Sequence, residues 1–127
     1  PFAANLEEIV REAGKTQTPV MVMTFDWYSP ENYSLEAFQA GALDYDGHSH
    51  ATEIWGAPEH IIAGVRAHND VLRGYATNAP DNVIFLDVEP VVPDGRTYWD
   101  DICHFNDAGE RLWIQAMGKA LESARAP

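Results

Sequence analysis

Thr18-Pro19-Val20-Met21-Val22-Met23-Thr24-Phe25 and Asn82-Val83-Ile84-Phe85-Leu86-Asp87-Val88 are the two stretches that decide the fold class. Both hold apolar runs of strand length that are continuous rather than alternating. An unbroken apolar strand implies burial on both faces, as in a parallel sheet covered by helices. The flanking segments fit that reading. Phe2, Leu6, Ile9, Val10 and Ala13 fall on one face of a helix, and Gly14 supplies a stop signal. Pro58 suits the first position of a helix running to about Ala76, with Ile61, Ile62, Val65, Leu72 and Ala76 inward. Asp107 and Glu110 have capping-box spacing for a last helix that buries Trp113, Ala116, Met117, Ala120 and Leu121. The stretch from Asp26 to Gly56 is irregular and rich in aromatics and acids, with a short helix expected around residues 34–39.

The order α, β, loop, α, β, loop, α predicts an α/β fold in one domain spanning residues 1–127. Two strands buried on both faces do not make a stable sheet, because three or more are normally needed. Each also leaves an unpaired edge. The missing strands are therefore expected from a second copy of this chain or from a different chain.

Composition narrows the partners. Asp plus Glu number 20 against 8 Lys plus Arg, a formal net charge of −12. A field of that sign repels phosphate backbones and anionic lipid, so neither nucleic acid nor a membrane surface is expected to bind. No apolar run approaches the roughly 20 residues that span a bilayer, and no secretory signal is read in the chain. The lone Cys103 excludes an internal disulfide and any multi-thiolate metal site.

The stretch that carries chemistry is Asp100-Asp101-Ile102-Cys103-His104-Phe105-Asn106-Asp107-Ala108-Gly109. Asp101 and His104 make D-x-x-H, and turn-like backbone between them brings both side chains to one side. A carboxylate there can accept a hydrogen bond from the imidazole Nδ1–H, fixing the tautomer and leaving Nε2 as a general base toward a hydroxyl nucleophile. The competing reading is that Asp101 caps a turn and His104 packs near the helix start.

D-I-C-H-x-x-x-x-G, set after a strand and a loop and before an amphipathic terminal helix, resembles the C-terminal block of the SGNH/GDSL hydrolases. Phe2 to Ala13 resembles the helix after that family's third block, and Thr18 to Met23 the strand that follows. Leu43-Asp44-Tyr45 to Trp55-Gly56 and the His68-Asn69 helix are similar to one branch of the family. The resemblance implies the C-terminal part of a three-layer α/β/α sandwich with parallel strands. It also implies an ester hydrolase acting on a small-molecule ester without a cofactor, with His104 as general base and Asp101 as its orienting partner. The family's G-D-S nucleophile block and its Gly and Asn blocks are absent. Ser29, Ser34, Ser49 and Ser123 lack the G-D-S setting, and Asn5, Asn32, Asn69, Asn78, Asn82 and Asn106 lack the G-x-N-D setting. A base without a nucleophile does no acyl transfer. The chain alone is expected to be inactive and to need a complementary N-terminal chain. The alternative is a non-catalytic SGNH-like protein that homo-oligomerises through its strand edges.

Other residues have two readings each. Asp44, Asp46, His48 and His50 offer imidazoles and carboxylates for a zinc-like ion, or form a solvated acidic turn. Phe25, Trp27, Tyr28, Tyr33, Phe38, Tyr45 and Trp55 wall an acyl pocket, or anchor loops over a sheet end. Cys103 beside His104 suggests a thiol nucleophile, against which adjacent side chains rarely face each other. Asp87 and Glu89 stand where α/β sheets place ligands, and loop capping explains them equally. His60 and His68 belong to the long central helix, His68 near its buried stripe.

Overall fold

The computed structural model describes residues 1–125. Its elements are α1 (Phe2–Gly14), β1 (Val20–Met23), α2 (Leu35–Gln39), a 3₁₀ turn (Thr52–Ile54), α3 (Pro58–Ala76), β2 (Val83–Leu86) and α4 (Asp107–Arg125). β1 and β2 form a two-stranded parallel sheet with Val20 opposite Val83 and Met23 opposite Leu86. The protein is thus a mixed α/β chain.

Local chemistry explains most boundaries. Ser34 is the N-cap of α2, its hydroxyl accepting from the Ala37 N–H at 3.1 Å. Pro58 opens α3, where a missing N–H costs nothing. α4 departs from expectation by one residue. Asn106, not Asp107, caps it, because its side-chain oxygen accepts from the Ala108 and Gly109 N–H groups at 3.0 and 3.3 Å. Asp107 lies inside the first turn, where a negative charge favours the helix dipole.

The strands are less buried than their continuous hydrophobicity predicts. Only Val22 of β1 is buried, and every residue of β2 stays partly exposed. Among the described residues each strand has a single neighbouring strand, so its far edge carries no further strand. Phe2, Ile9 and Leu121, expected to face inward, are exposed as well. The tightest apolar packing lies elsewhere, under the two long loops, where Phe38, Leu43, Tyr45, Val92, Trp99 and Ile102 form one buried cluster. Polar ends of its aromatics are satisfied: Tyr45 donates its hydroxyl to the Tyr28 carbonyl at 2.7 Å, and Trp99 Nε1 donates to the Pro93 carbonyl at 3.0 Å. Tyr28, Tyr33, Phe38 and Tyr45 are therefore loop anchors, whereas Phe25 and Trp55 are about half exposed. No described helix is long and apolar enough to cross a membrane.

Among the described residues β1 has one edge on β2 and no strand on the other. The Val20 N–H donates to the Asn82 carbonyl at 2.8 Å and the Thr24 N–H to the Leu86 carbonyl at 3.2 Å, both on the β2 side. Peptide groups alternate in a parallel ladder, so those of Met21 and Met23 face the other way. At Phe25 that free side is closed by a side chain. Asn69 of α3, fully buried, accepts from the Phe25 N–H and donates to the Phe25 carbonyl, each at 2.7 Å. One amide thus does for Phe25 what a neighbouring strand would do. Replacing it by an apolar side chain orphans two backbone groups, each costing about 1–3 kcal/mol when buried. We expect Asn69→Leu to lower unfolding free energy by about 2–4 kcal/mol in urea titrations, with exposed Asn78→Leu nearly silent.

Candidate active site

The D-x-x-H segment folds back on itself. Trp99 and Phe105 form an isolated antiparallel bridge, and the Asp100 N–H donates to the His104 carbonyl at 2.8 Å. The turn between them is held by its first side chain. Asp101 Oδ1 accepts from the Cys103 and His104 N–H groups at 3.1 and 3.0 Å, a side-chain-closed turn of the kind Asp favours. The same turn swings the His104 ring onto the carboxylate, with Nδ1 2.8 Å from Oδ1 and 2.9 Å from Oδ2. Five residues past His104, Gly109 completes the motif for a steric reason. A Cβ there would collide with the Tyr98 carbonyl oxygen and sit 2.9 Å from Phe105 Cβ.

A second segment, distant in sequence, lies against this turn. The Asp46 N–H donates to the Trp99 carbonyl at 2.8 Å, and the His48 N–H to the Asp100 carbonyl at 2.7 Å. The approach is close enough that a Cβ on Gly47 would overlap the Asp100 side chain. Ser49 hydrogen-bonds Asp100 as well. The next residue reaches the centre of the site: the His50 N–H donates to Asp101 Oδ2 at 3.0 Å, and His50 Nδ1 lies 3.1 Å from the same oxygen. Two imidazoles, their centroids 4.9 Å apart, thus share one carboxylate.

Asp101 is fully buried, and both rings are about half exposed. Burial works to raise the Asp101 pKa. The Cys103 N–H, followed by the hydrogen bond and positive field of His104, outweighs it and holds the carboxyl below its ordinary value. An ionised carboxylate only accepts, so the ring nitrogens facing it carry protons, and in the neutral form of each ring Nε2 keeps its lone pair. His104 borders a cavity of about 430 Å³ whose walls include Met23, Phe25, Asp26, Phe105 and Trp113. This arrangement suits abstraction of a proton from a hydroxyl.

Of the sequence-derived candidates, Asp101 and His104 come together. The acidic loop set does not. Asp44 accepts from Arg96 Nε at 2.9 Å, Asp46 from Asn106 Nδ2 at 3.3 Å, and the His48 ring packs against Phe38 and Tyr45. Only His50 of that set reaches Asp101. Among the described residues no hydroxyl hydrogen-bonds His104; the Ser34 hydroxyl caps α2 and that of Ser49 meets Asp100. Cys103 Sγ lies 3.6 Å from His104 Nδ1, yet burial and then the Asp101 charge push its thiol up to about 12. It is a poor thiolate, and so a poor nucleophile. Asp87 and Glu89 are both taken by Arg73 of α3, with Nε 2.8 Å from Asp87 Oδ2.

Asp26, just past β1, is a group that spacing did not single out. It is only 8% exposed; Oδ1 accepts from the Trp27 N–H at 2.9 Å, and Oδ2 is buried without a partner among the described residues. Burial first, opposed by that hydrogen bond, then the negative charges of Glu89, Asp94 and Asp87, push its pKa from 3.8 to about 7. A carboxyl whose folded-state pKa exceeds its unfolded one binds its proton more tightly when folded. Its contribution therefore falls as pH rises from about 4 to about 7 and stays lost above that. Asp26→Asn is expected to stabilise the fold by about 2–4 kcal/mol near pH 8 and by little near pH 4. Denaturant unfolding of both proteins at the two pH values checks this, and an equal effect at both contradicts it. Compared with known proteins, the chain matches no protein-family model, no curated protein and no solved structure.

Proposed function

We propose that this chain supplies the Asp–His part of a Ser–His–Asp ester hydrolase of the SGNH/GDSL type. Asp101 orients and balances the charge of His104, and His104 takes the proton of a serine hydroxyl carried on another polypeptide. The observation that carries this reading is the His104 Nδ1 contact of 2.8 Å to a fully buried carboxylate, at the rim of a cavity. In that role the imidazole takes the hydroxyl proton as the acyl carbon is attacked, then returns it to the leaving alcohol.

The free edge of β1 supports the remainder of the reading. Among the described residues the peptide groups of Met21 and Met23 have no strand beside them, and Phe25, just past β1, is exposed. In the proposal a strand from the complementary chain pairs there, extends the sheet towards a three-layer α/β/α sandwich and brings the nucleophile to His104. A second reading rests on the same edge. Two copies of this chain pair through β1, and the resulting dimer has no nucleophile.

The test is p-nitrophenyl ester hydrolysis with and without a co-expressed G-D-S-bearing polypeptide. Alone, the chain should show only background imidazole reactivity. In the complemented form His104→Ala should reduce kcat/KM by about 1000-fold or more. Complemented activity that survives His104→Ala contradicts the role of His104. A stable homodimer that no G-D-S polypeptide activates favours the second reading.

A further inference from the structure

The acceptor capacity of Asp101 is overdrawn. Its carboxylate offers about four lone-pair sites, and five N–H donors converge on it. Three are backbone groups of His50, Cys103 and His104 at 3.0–3.1 Å, and two are the facing ring nitrogens of His50 and His104. The backbone donors fix the carboxylate's position whatever the rings do. The two ring protons are the part of the arrangement that another species can replace.

From this we infer that His50, Asp101 and His104 form a binding site for a divalent transition-metal ion of the zinc type, through both Nδ1 atoms and the carboxylate. With each ring's proton moved from Nδ1 to Nε2, one cation satisfies both Nδ1 lone pairs and relieves the crowded carboxylate. The three ligand atoms all lie within 4.8 Å of one another. Bonds of about 2.0–2.1 Å place neighbouring ligand atoms roughly 3.0–3.4 Å apart, and the two nitrogen–carboxylate edges to the shared Oδ2 are 2.9 and 3.1 Å. The remaining edge, between the two Nδ1 atoms, is at most 4.8 Å, and turning of the half-exposed rings shortens it. Two imidazoles and one carboxylate suit zinc and its neighbours; calcium wants six or more oxygens, and magnesium favours oxygen ligands. The half-exposed rings leave the solvent side open for water or a small anionic ligand. The net charge of −12 favours cation capture.

This inference does not rest on the hydrolase reading. The two share His104 Nδ1, so a bound ion displaces the contact on which the hydrolase reading depends.

The test uses the chain purified without a metal-affinity tag and dialysed against a chelator, titrated with zinc chloride. Calorimetry should show one saturable site per chain. Among the five histidines, NMR should show the ring signals of His50 and His104 alone shifting stoichiometrically. His50→Ala should weaken binding by more than about 10-fold and His60→Ala should not. Absence of saturable binding, an affinity unchanged by His50→Ala, or shifts spread over all five histidines would overturn the site. Because the NMR readout uses the unaltered chain, misfolding of a variant cannot mimic either result. Zinc binding is scored without any ester substrate, so its failure leaves the hydrolase reading to the kinetic test.

Discussion

The buried carboxylate of Asp101 is the constraint around which the loop half of the molecule is arranged. Taking an ion out of water costs several kcal/mol unless bonded partners replace its solvation. Every partner it has comes from two irregular segments, the turn 101–104 and His50, 51 residues before it in sequence. Meeting its needs forces those segments together. The close approach that results explains why Gly47 lies under Asp100. The apolar cluster of Leu43, Tyr45, Trp99 and Ile102 closes over the same contact and keeps water from competing.

This arrangement inverts the usual division of labour in an α/β chain. The sheet positions groups, and the loops hold the tightest packing. β1 and β2 end side by side at Thr24 and Asp87, where the Thr24 hydroxyl donates to Asp87 at 2.8 Å and Arg73 of α3 clamps Asp87 and Glu89. Asp26 follows immediately, buried and half-satisfied beside the cavity. A poorly solvated carboxyl at the end of a strand with a free edge is costly to stability. Such costs are commonly retained where a second surface or a ligand completes the environment.

The helices were legible because their apolar faces repeat with the helical period and their ends carry Pro58, Ser34 and Gly14. Asp101 and His104 were legible because a three-residue spacing is a local signal and a turn suffices to join them. The parallel pairing of β1 with β2 also follows from their unbroken apolar character. The degree of burial does not, because continuous hydrophobicity records what a strand expects to be covered by, not what covers it in one chain. His50 was visible only as a member of a histidine- and acid-rich loop, and nothing in that loop points to a carboxylate 51 residues away. The core beneath the loops was hidden for a related reason: its aromatics follow no period. Asn69 was hidden too, since a polar residue in a helix gives no hint that it closes the edge of a strand. The cap of α4 fell one residue early because Asn106 and Asp107 are both competent caps and only the backbone path separates them.

Donation from both Nδ1 atoms to Asp101 is read most directly from the tautomer of His104 and His50 in the metal-free chain, by long-range ¹H–¹⁵N correlation at a pH where both rings are neutral. A carboxylate that holds both Nδ1 protons predicts the Nδ1–H form with a bare Nε2 for each ring, against the usual preference of free imidazole for Nε2–H. An Nε2–H tautomer at His104 would mean that its Nδ1 does not donate to Asp101, and the general-base role would fall with it.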